Sequence, residues 1–216
     1  MRSTQTNVVS LNIKPKVFLS VATNPTIKQT MNIAVFASGA GTTLQRLIEQ
    51  QTQCDYKVSL VVSNRPCHAI VRAEQNHIPA LQTKDWNEIN NALISNHIQL
   101  IVLAGFLAIL PQDFCERWDK KIINTHPSLL PKHGGKGMYG IHVQEAVLAA
   151  GDQKAGCTIH YVSAEIDGGN IIAQSAIDVL PDDTAESLSL RVQQAEKQLL
   201  PLTITQLIAS YNNNAK

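Results

Sequence analysis

The sequence predicts an α/β fold, a doubly wound and mostly parallel sheet of the Rossmann-like kind with helices on both faces. Short apolar runs alternate with amphipathic segments along residues 31–216, an order typical of parallel strands joined by crossover helices. The first apolar run ends in a glycine-rich turn that opens a helix. The 216 residues are 44% hydrophobic, which is enough for one sizeable core in a single domain.

The first strand, turn and helix form a candidate anion site. Residues 33–37 are apolar, and Leu44, Leu47 and Ile48 mark one face of the following helix. Between them, residues 38–43 (Ser-Gly-Ala-Gly-Thr-Thr) let the backbone approach an anion, and the helix N-terminus offers unpaired N–H groups. The motif lacks the third glycine of a dinucleotide fingerprint and the Gly-Lys-Ser/Thr of a P-loop. A tight turn without a ligand is the alternative.

The next segments continue the alternation. Apolar runs at 58–62, 79–81 and 100–104 predict strands, and periodic patterns at 69–75 and 86–93 predict helices. The run at 100–104 is followed by an apolar loop, whose members are Leu107, Ala108, Ile109 and Leu110. Such a loop, if exposed, could form the wall of a pocket for a flat ring, although ordinary core is an equally good interpretation.

The stretch at 121–133 holds the most informative side chains. Residues 121–123 predict a short strand that continues into Asn124, Thr125 and His126 before Pro127 stops it. Side chains alternate along a strand, so Asn124 and His126 face the same side, at the strand end where open α/β sheets bind ligands. An amide can stabilise a carbonyl oxygen that gains charge, and an imidazole can transfer a proton. The pair indicates acyl transfer; a capped turn that starts a loop is the alternative.

Residues 132–140 contain four glycines and predict a mobile loop that acts as a lid beside this site. A helix at 142–150 then ends at Gly151. Two strands, at 157–162 and 171–177, flank Asp167, whose carboxylate can orient and charge His126.

Three further features in the last part of the chain have structural interpretations. His160, in the first of the two strands around Asp167, is interpreted as a satisfied sheet histidine. Residues 183–186 (Asp-Thr-Ala-Glu) resemble a capping box at the start of the last helix, and Pro201 is expected to kink or split that helix.

The composition excludes several classes of protein. A net charge of +1 argues against a nucleic-acid or anionic-membrane surface, and no apolar run reaches the length of a membrane helix. The four cysteines are far apart, which argues against a structural zinc site or a disulfide framework and suits a reducing compartment.

Residues 1–30 differ from the rest, with four basic residues and no acidic one. A disordered tail, or an upstream start before Met31, is favoured over an organellar transit peptide because arginine is scarce.

Several motifs together resemble one known family, the folate-dependent formyltransferases. They are 124–131 (Asn-Thr-His-Pro-Ser-Leu-Leu-Pro), 167–169 (Asp-Gly-Gly) with 172–174 (Ile-Ala-Gln), 102–106 (Val-Leu-Ala-Gly-Phe), the turn at 38–41, and 191–196 (Arg-Val-Gln-Gln-Ala-Glu). The resemblance extends over roughly 31–210 and is strongest to the branch that acts on glycinamide ribonucleotide.

The resemblance implies a reaction and a set of site residues. The reaction transfers the formyl group of the co-substrate 10-formyltetrahydrofolate to the amine of 5'-phosphoribosylglycinamide in purine biosynthesis, by direct attack through a tetrahedral intermediate and without a metal. The implied residues are Asn124, His126 and Asp167 for catalysis, Gly41, Thr42 and Thr43 for the substrate phosphate, Gln193 and Glu196 for the glycinamide and ribose end, and Leu107, Ala108, Ile109, Leu110 and Asn124 for the folate. The partners would be small molecules, with no nucleic acid or membrane, and the enzyme would be a cytoplasmic monomer or homodimer.

Some positions depart from the family pattern, and other activities remain open. Many members have asparagine at Thr43 and a basic residue at Ala108, and an arginine expected near Asn87 is absent. The alternatives are a formyltetrahydrofolate hydrolase and a methionyl-tRNA formyltransferase, which normally carry an additional N-terminal or C-terminal domain respectively. A non-catalytic nucleotide-binding module is less favoured because it would leave His126 and Asp167 without a role.

Overall fold

The computed structural model describes residues 30–214. The predicted N-terminal extension lies outside the described residues, except for Thr30, and so do the last two residues of the predicted domain. Within the described range the chain forms one seven-stranded sheet with helices on both of its faces. This confirms the predicted fold class.

The sheet has the strand order β3-β2-β1-β4-β5-β6-β7. The strands are β1 (Met31–Phe36), β2 (Tyr56–Ser63), β3 (Ala80–Gln82), β4 (Leu100–Leu103), β5 (Ile122–His126), β6 (Lys154–Tyr161) and β7 (Ile171–Asp178). The first five strands are parallel, and β6 and β7 run antiparallel to their neighbours. The chain winds outward from β1 to β3 and then returns to β4 on the other side of β1, so the winding direction changes between β1 and β4. Ligands bind at such a switch point in open α/β sheets.

Helices cover both faces because side chains of β1 alternate between two cores. Ile33 and Val35 belong to one core, and Ala34 and Phe36 belong to the other. The helices are α1 (Thr42–Gln50), α2 (His68–Gln75), α3 (Trp86–Ser95), α4 (Gln112–Arg117), α5 (Ile141–Ala149) and α6 (Ala185–Asn214). The first core contains buried residues of α1, α2 and α6, and the second contains buried residues of α3 and α4. No helix within residues 30–214 is long and apolar enough to cross a membrane.

Two local features differ from the sequence-based expectations, and a third expectation, a kink or a split at Pro201, is decided only against the split. Helix α4 was not predicted. The capping box at the start of α6 pairs Thr184 with Ser187, one residue later than expected: Ser187 N–H donates to Thr184 Oγ1 (3.2 Å) and Thr184 N–H donates to Ser187 Oγ (3.0 Å). The Ser187 hydroxyl thus replaces the expected glutamate carboxylate in the box. Pro201 does not split α6, which continues through it to Asn214.

Candidate active site

Asn124 and His126 lie at the carboxyl end of β5, next to β4 and the switch point. His126 is 4% exposed and Asn124 is half-buried. Both line a cavity of about 610 Å³ that is walled mainly by the segments after the carboxyl ends of β1, β4 and β5. The expected position of this pair at a ligand-binding edge of the sheet is therefore observed.

Asp167 reaches the same place from the connection between β6 and β7. Its Oδ2 atom lies 3.4 Å from His126 Nδ1 and accepts a hydrogen bond from the Gly135 N–H at 2.9 Å. Asp167 has a φ of 54°, in the left-handed region, where aspartate is tolerated better than most residues. Gly169 completes the turn, since a Cβ atom there would lie 1.7 Å from the Tyr161 carbonyl oxygen. The turn and the histidine contact are thus compatible roles of one aspartate.

His160 has a larger part in the site than its place in the sequence indicates. It lies directly opposite Asn124 in the β5–β6 pairing, and its Nε2 is 3.0 Å from Asn124 Nδ2 and 3.6 Å from Asp167 Oδ1. His160 Nδ1 donates to the Tyr161 carbonyl (2.9 Å), so Nε2 of the neutral ring accepts from the Asn124 amide. Burial lowers the pKa of His160 and favours this neutral form. It is a satisfied sheet histidine, as expected, but it also orients Asn124.

The glycine turn after β1 lines the cavity. Gly41 has a φ of 68°, and a Cβ there would lie 2.9 Å from the Ala69 backbone, so only glycine fits. Arg72 Nε donates to the Ala40 carbonyl at 2.8 Å and braces the turn from α2. Thr42 and Thr43 begin α1, whose first N–H groups have no partner within the helix.

Thr43 is engaged within the protein. Its hydroxyl donates to Glu196 Oε1 at 2.7 Å, which links α1 to α6. Burial raises the pKa of Glu196, more than the bond from Thr43 lowers it. Gln193 and Ser189 line the cavity beside Glu196, and Gln193 Nε2 donates to Ser189 Oγ at 3.3 Å. The three predicted phosphate residues and the two predicted substrate residues are therefore neighbours.

The apolar loop after β4 forms another wall of the cavity. Leu107 and Ile109 are 49% and 75% exposed, whereas Leu110 is buried in the core beside α3 and α4. All four residues from 107 to 110 line the cavity. The loop therefore contributes exposed side chains to the cavity wall and Leu110 to the core, and the binding of a flat ring there stays a prediction.

The glycine-rich loop faces the same cavity through residues 135–140. Its movement as a lid stays a prediction. Lys136 is exposed, and among the described residues that line the cavity it is the one Lys or Arg side chain. No described cluster of three or more His, Cys, Asp or Glu side chains has the arrangement of a metal site.

The amino-acid sequence is similar to those of known proteins. Residues 31–204 match the family model described as formyl transferase. The chain is 38% identical over 184 residues to a phosphoribosylglycinamide formyltransferase of Haemophilus influenzae, covering 80% of this chain and 84% of that protein. It is 37% identical to a chloroplastic phosphoribosylglycinamide formyltransferase of Arabidopsis thaliana, covering 77% and 62%. It is 38% identical to the Drosophila melanogaster trifunctional purine biosynthetic protein adenosine-3, covering 82% of this chain but only 14% of that longer protein.

Solved structures give the same assignment of the fold. The crystal structure of a phosphoribosylglycinamide formyltransferase from Anaplasma phagocytophilum is 36% identical, with a TM-score of 0.78 over 83% of this chain and 88% of that chain. A formyltetrahydrofolate deformylase from Pseudomonas syringae is 24% identical, with a TM-score of 0.76 over 84% of this chain and 62% of that chain. At that identity the second comparison concerns the fold alone.

Proposed function

We propose that this chain, which belongs to the formyl transferase family, transfers the formyl group of 10-formyltetrahydrofolate to the amine of 5'-phosphoribosylglycinamide in purine biosynthesis. The observation that carries the proposal is the convergence of Asn124, His126 and Asp167 on one cavity at the switch point of the sheet. Relatives that match most of the chain have names that state this activity.

The ribonucleotide phosphate would bind at the glycine turn. Helix α1 begins after the carboxyl end of β1, where Gly41 and Thr42 line the cavity, and an anion bound there also gains from the helix dipole. Because Thr43 donates its hydroxyl hydrogen to Glu196, we expect the phosphate contacts to come mainly from backbone N–H groups. The sugar and glycinamide would then extend past Gln193 and Glu196 towards His126.

The folate ring would lie against the apolar loop. Leu107 and Ile109 offer exposed apolar surface at the cavity, and a flat heterocycle that covers them removes that surface from water. This arrangement brings the formyl group, between the folate and the ribonucleotide, to Asn124.

The chemistry would be direct transfer. The substrate amine attacks the formyl carbon, and a second Asn124 N–H, beyond the one committed to His160, donates to the tetrahedral oxyanion, while protonated His126 contributes its positive charge. Asp167 holds the charged imidazole and assists proton movement from the amine to the departing folate nitrogen. Each step is a carbonyl addition, a collapse or a proton transfer.

Turnover in the presence and absence of glycinamide ribonucleotide tests the proposal. We expect formylated ribonucleotide and tetrahydrofolate in equal amounts, and little formate release when water is the only acceptor. Formate release that does not depend on the ribonucleotide would instead identify a hydrolase and overturn the assignment.

The cellular setting is a further part of the proposal. The substrates are small molecules, and we infer a monomer or homodimer in the cytoplasm. An organelle is the alternative location, which we retain because the name of the Arabidopsis relative includes the word chloroplastic. Gel filtration and localisation of the tagged full-length chain decide these points.

A further inference from the structure

His126 is held by a backbone carbonyl as well as by Asp167. Its Nε2 atom lies 2.8 Å from the His133 carbonyl oxygen, and its Nδ1 atom lies 3.4 Å from Asp167 Oδ2. A carbonyl oxygen only accepts hydrogen bonds, so Nε2 must carry a hydrogen in both the neutral and the charged ring. The exchangeable proton of His126 is therefore the one on Nδ1, on the Asp167 side.

The His133 carbonyl is presented by an unfavourable backbone conformation. His133 has a φ of 52°, in the left-handed region, which a non-glycine residue adopts at a cost. Glycine would be the ordinary choice here, and Gly134 and Gly135 follow immediately. An interaction of the His133 side chain can offset this cost.

Asp152 supplies that interaction from the turn after α5. Its Oδ2 atom lies 2.8 Å from His133 Nε2, and its Oδ1 atom accepts from Lys132 Nζ at 2.8 Å. His133 and Asp152 are 16% and 17% exposed, so the contact is partly shielded from water. The hydrogen bonds from Lys132 and His133 lower the pKa of Asp152, which keeps it charged. Ser128 Oγ donates to the Lys132 carbonyl (2.6 Å) and closes the turn before His133.

We propose that His133 and Asp152 are positioning residues for His126. Their pair holds the His133 carbonyl against Nε2, and this fixes both the orientation of the catalytic ring and the nitrogen that exchanges its proton. The expected change in kcat rests on the proposed function. The expected change in the tautomer of His126 can be measured in the free enzyme.

Two variants separate the effect of the His133–Asp152 contact from that of the left-handed backbone conformation at residue 133. His133→Gly keeps the left-handed conformation without cost but removes the side chain, and Asp152→Asn keeps the shape of the partner but removes its charge. We expect each to lower kcat by about tenfold through misplacement of His126, with KM for both substrates within about twofold of wild type. Because the two residues act through one contact, the double variant should be no slower than the slower single variant.

Glu145→Gln is the matched control, since it removes the charge from another histidine–carboxylate pair, His142–Glu145 (2.9 Å). That pair is exposed, and the Glu145 carboxylate does not line the cavity. The variant should retain wild-type kcat. Wild-type kcat in His133→Gly, or additive losses in the double variant, would overturn the proposal. If His133→Gly does not fold, His133→Asn, which tolerates the left-handed conformation but is too short for the same contact, takes its place.

The second measurement is the ¹⁵N spectrum of histidine-labelled free enzyme, with the His126 signals identified by their loss in His126→Asn. We expect neutral wild-type His126 to carry its hydrogen on Nε2, and the form with Nδ1–H, which Asp167 favours, to increase in both His133→Gly and Asp152→Asn. An unchanged tautomer in both variants would reject the positioning role. This readout needs no substrate, so it remains decisive if the proposed formyl transfer fails.

Discussion

At the scale of single residues, Asn124 is the clearest test of the proposed chemistry. One amide hydrogen is committed to His160 at 3.0 Å, and the other is available to an oxyanion. We expect Asn124→Ala to lower kcat by roughly 10²–10³-fold with a smaller effect on KM, because the oxyanion contact strengthens in the transition state. Steady-state kinetics with both substrates measures this. A rise in KM alone would make Asn124 a binding residue only.

Asp167 tests whether the turn or the charge matters. Asparagine tolerates the φ of 54° as aspartate does, so Asp167→Asn should preserve the turn with Gly168 and Gly169. It removes the charge beside His126 and His160, and we expect kcat to fall by roughly 10²-fold or more. The melting temperature should stay close to that of wild type. Turnover near the wild-type rate would assign Asp167 to the turn alone.

At the scale of elements, the strands were predictable and several details were not. The apolar runs of β1, β2 and β4 stand out because both faces of a central parallel strand are buried. Helix α4 has only six residues, too few for a periodic pattern to be distinguished from its apolar neighbours. The role of His160 depends on its pairing opposite Asn124, 36 positions away, which local sequence does not reveal. Likewise, the hydrogen bond from Thr43 to Glu196 joins the two ends of the domain.

Lys136, in the glycine-rich loop, is predicted to contact an anionic substrate. This side chain lines the cavity, has no ion pair with a described residue, and is flanked by Gly135 and Gly137, both with positive φ. Since both proposed substrates are anions, we expect Lys136→Ala to raise KM for at least one of them by roughly tenfold, as for a lost hydrogen bond to a charged group. Lys57→Ala, on an exposed part of β2, is the control. Repeating the assay with a folate that lacks its glutamate tells which anion Lys136 contacts. If Lys136→Ala then no longer raises KM, the contacted anion is the folate carboxylate. Unchanged KM values would show that Lys136 meets neither substrate.

At the scale of the whole molecule, Glu196 couples folding to pH. Its pKa is raised in the folded protein, so the folded state binds this proton more tightly than the unfolded state. Its contribution to stability is therefore present below the unfolded pKa and is lost as pH rises through the folded pKa. Glu196→Gln keeps a group that can accept from Thr43 but cannot ionise. We expect the variant to lose less thermal stability than wild type between acidic and mildly alkaline pH. Parallel pH dependences for the two proteins would contradict this.

The position of β1 predicts how the whole domain responds to loss of residues 1–29. This strand lies between β2 and β4, and its side chains are packed on both faces by described residues. Met31 begins β1 at the amino edge of the sheet, whereas the cavity lies at the carboxyl edge, about 20 Å away for a six-residue strand. A segment that enters at Met31 therefore joins the sheet on the side opposite the candidate active site. We expect a chain that starts at Thr30 to keep wild-type kcat, KM and melting temperature. A lower melting temperature would show that residues 1–29 stabilise the domain, and a higher KM would show that they reach the cavity.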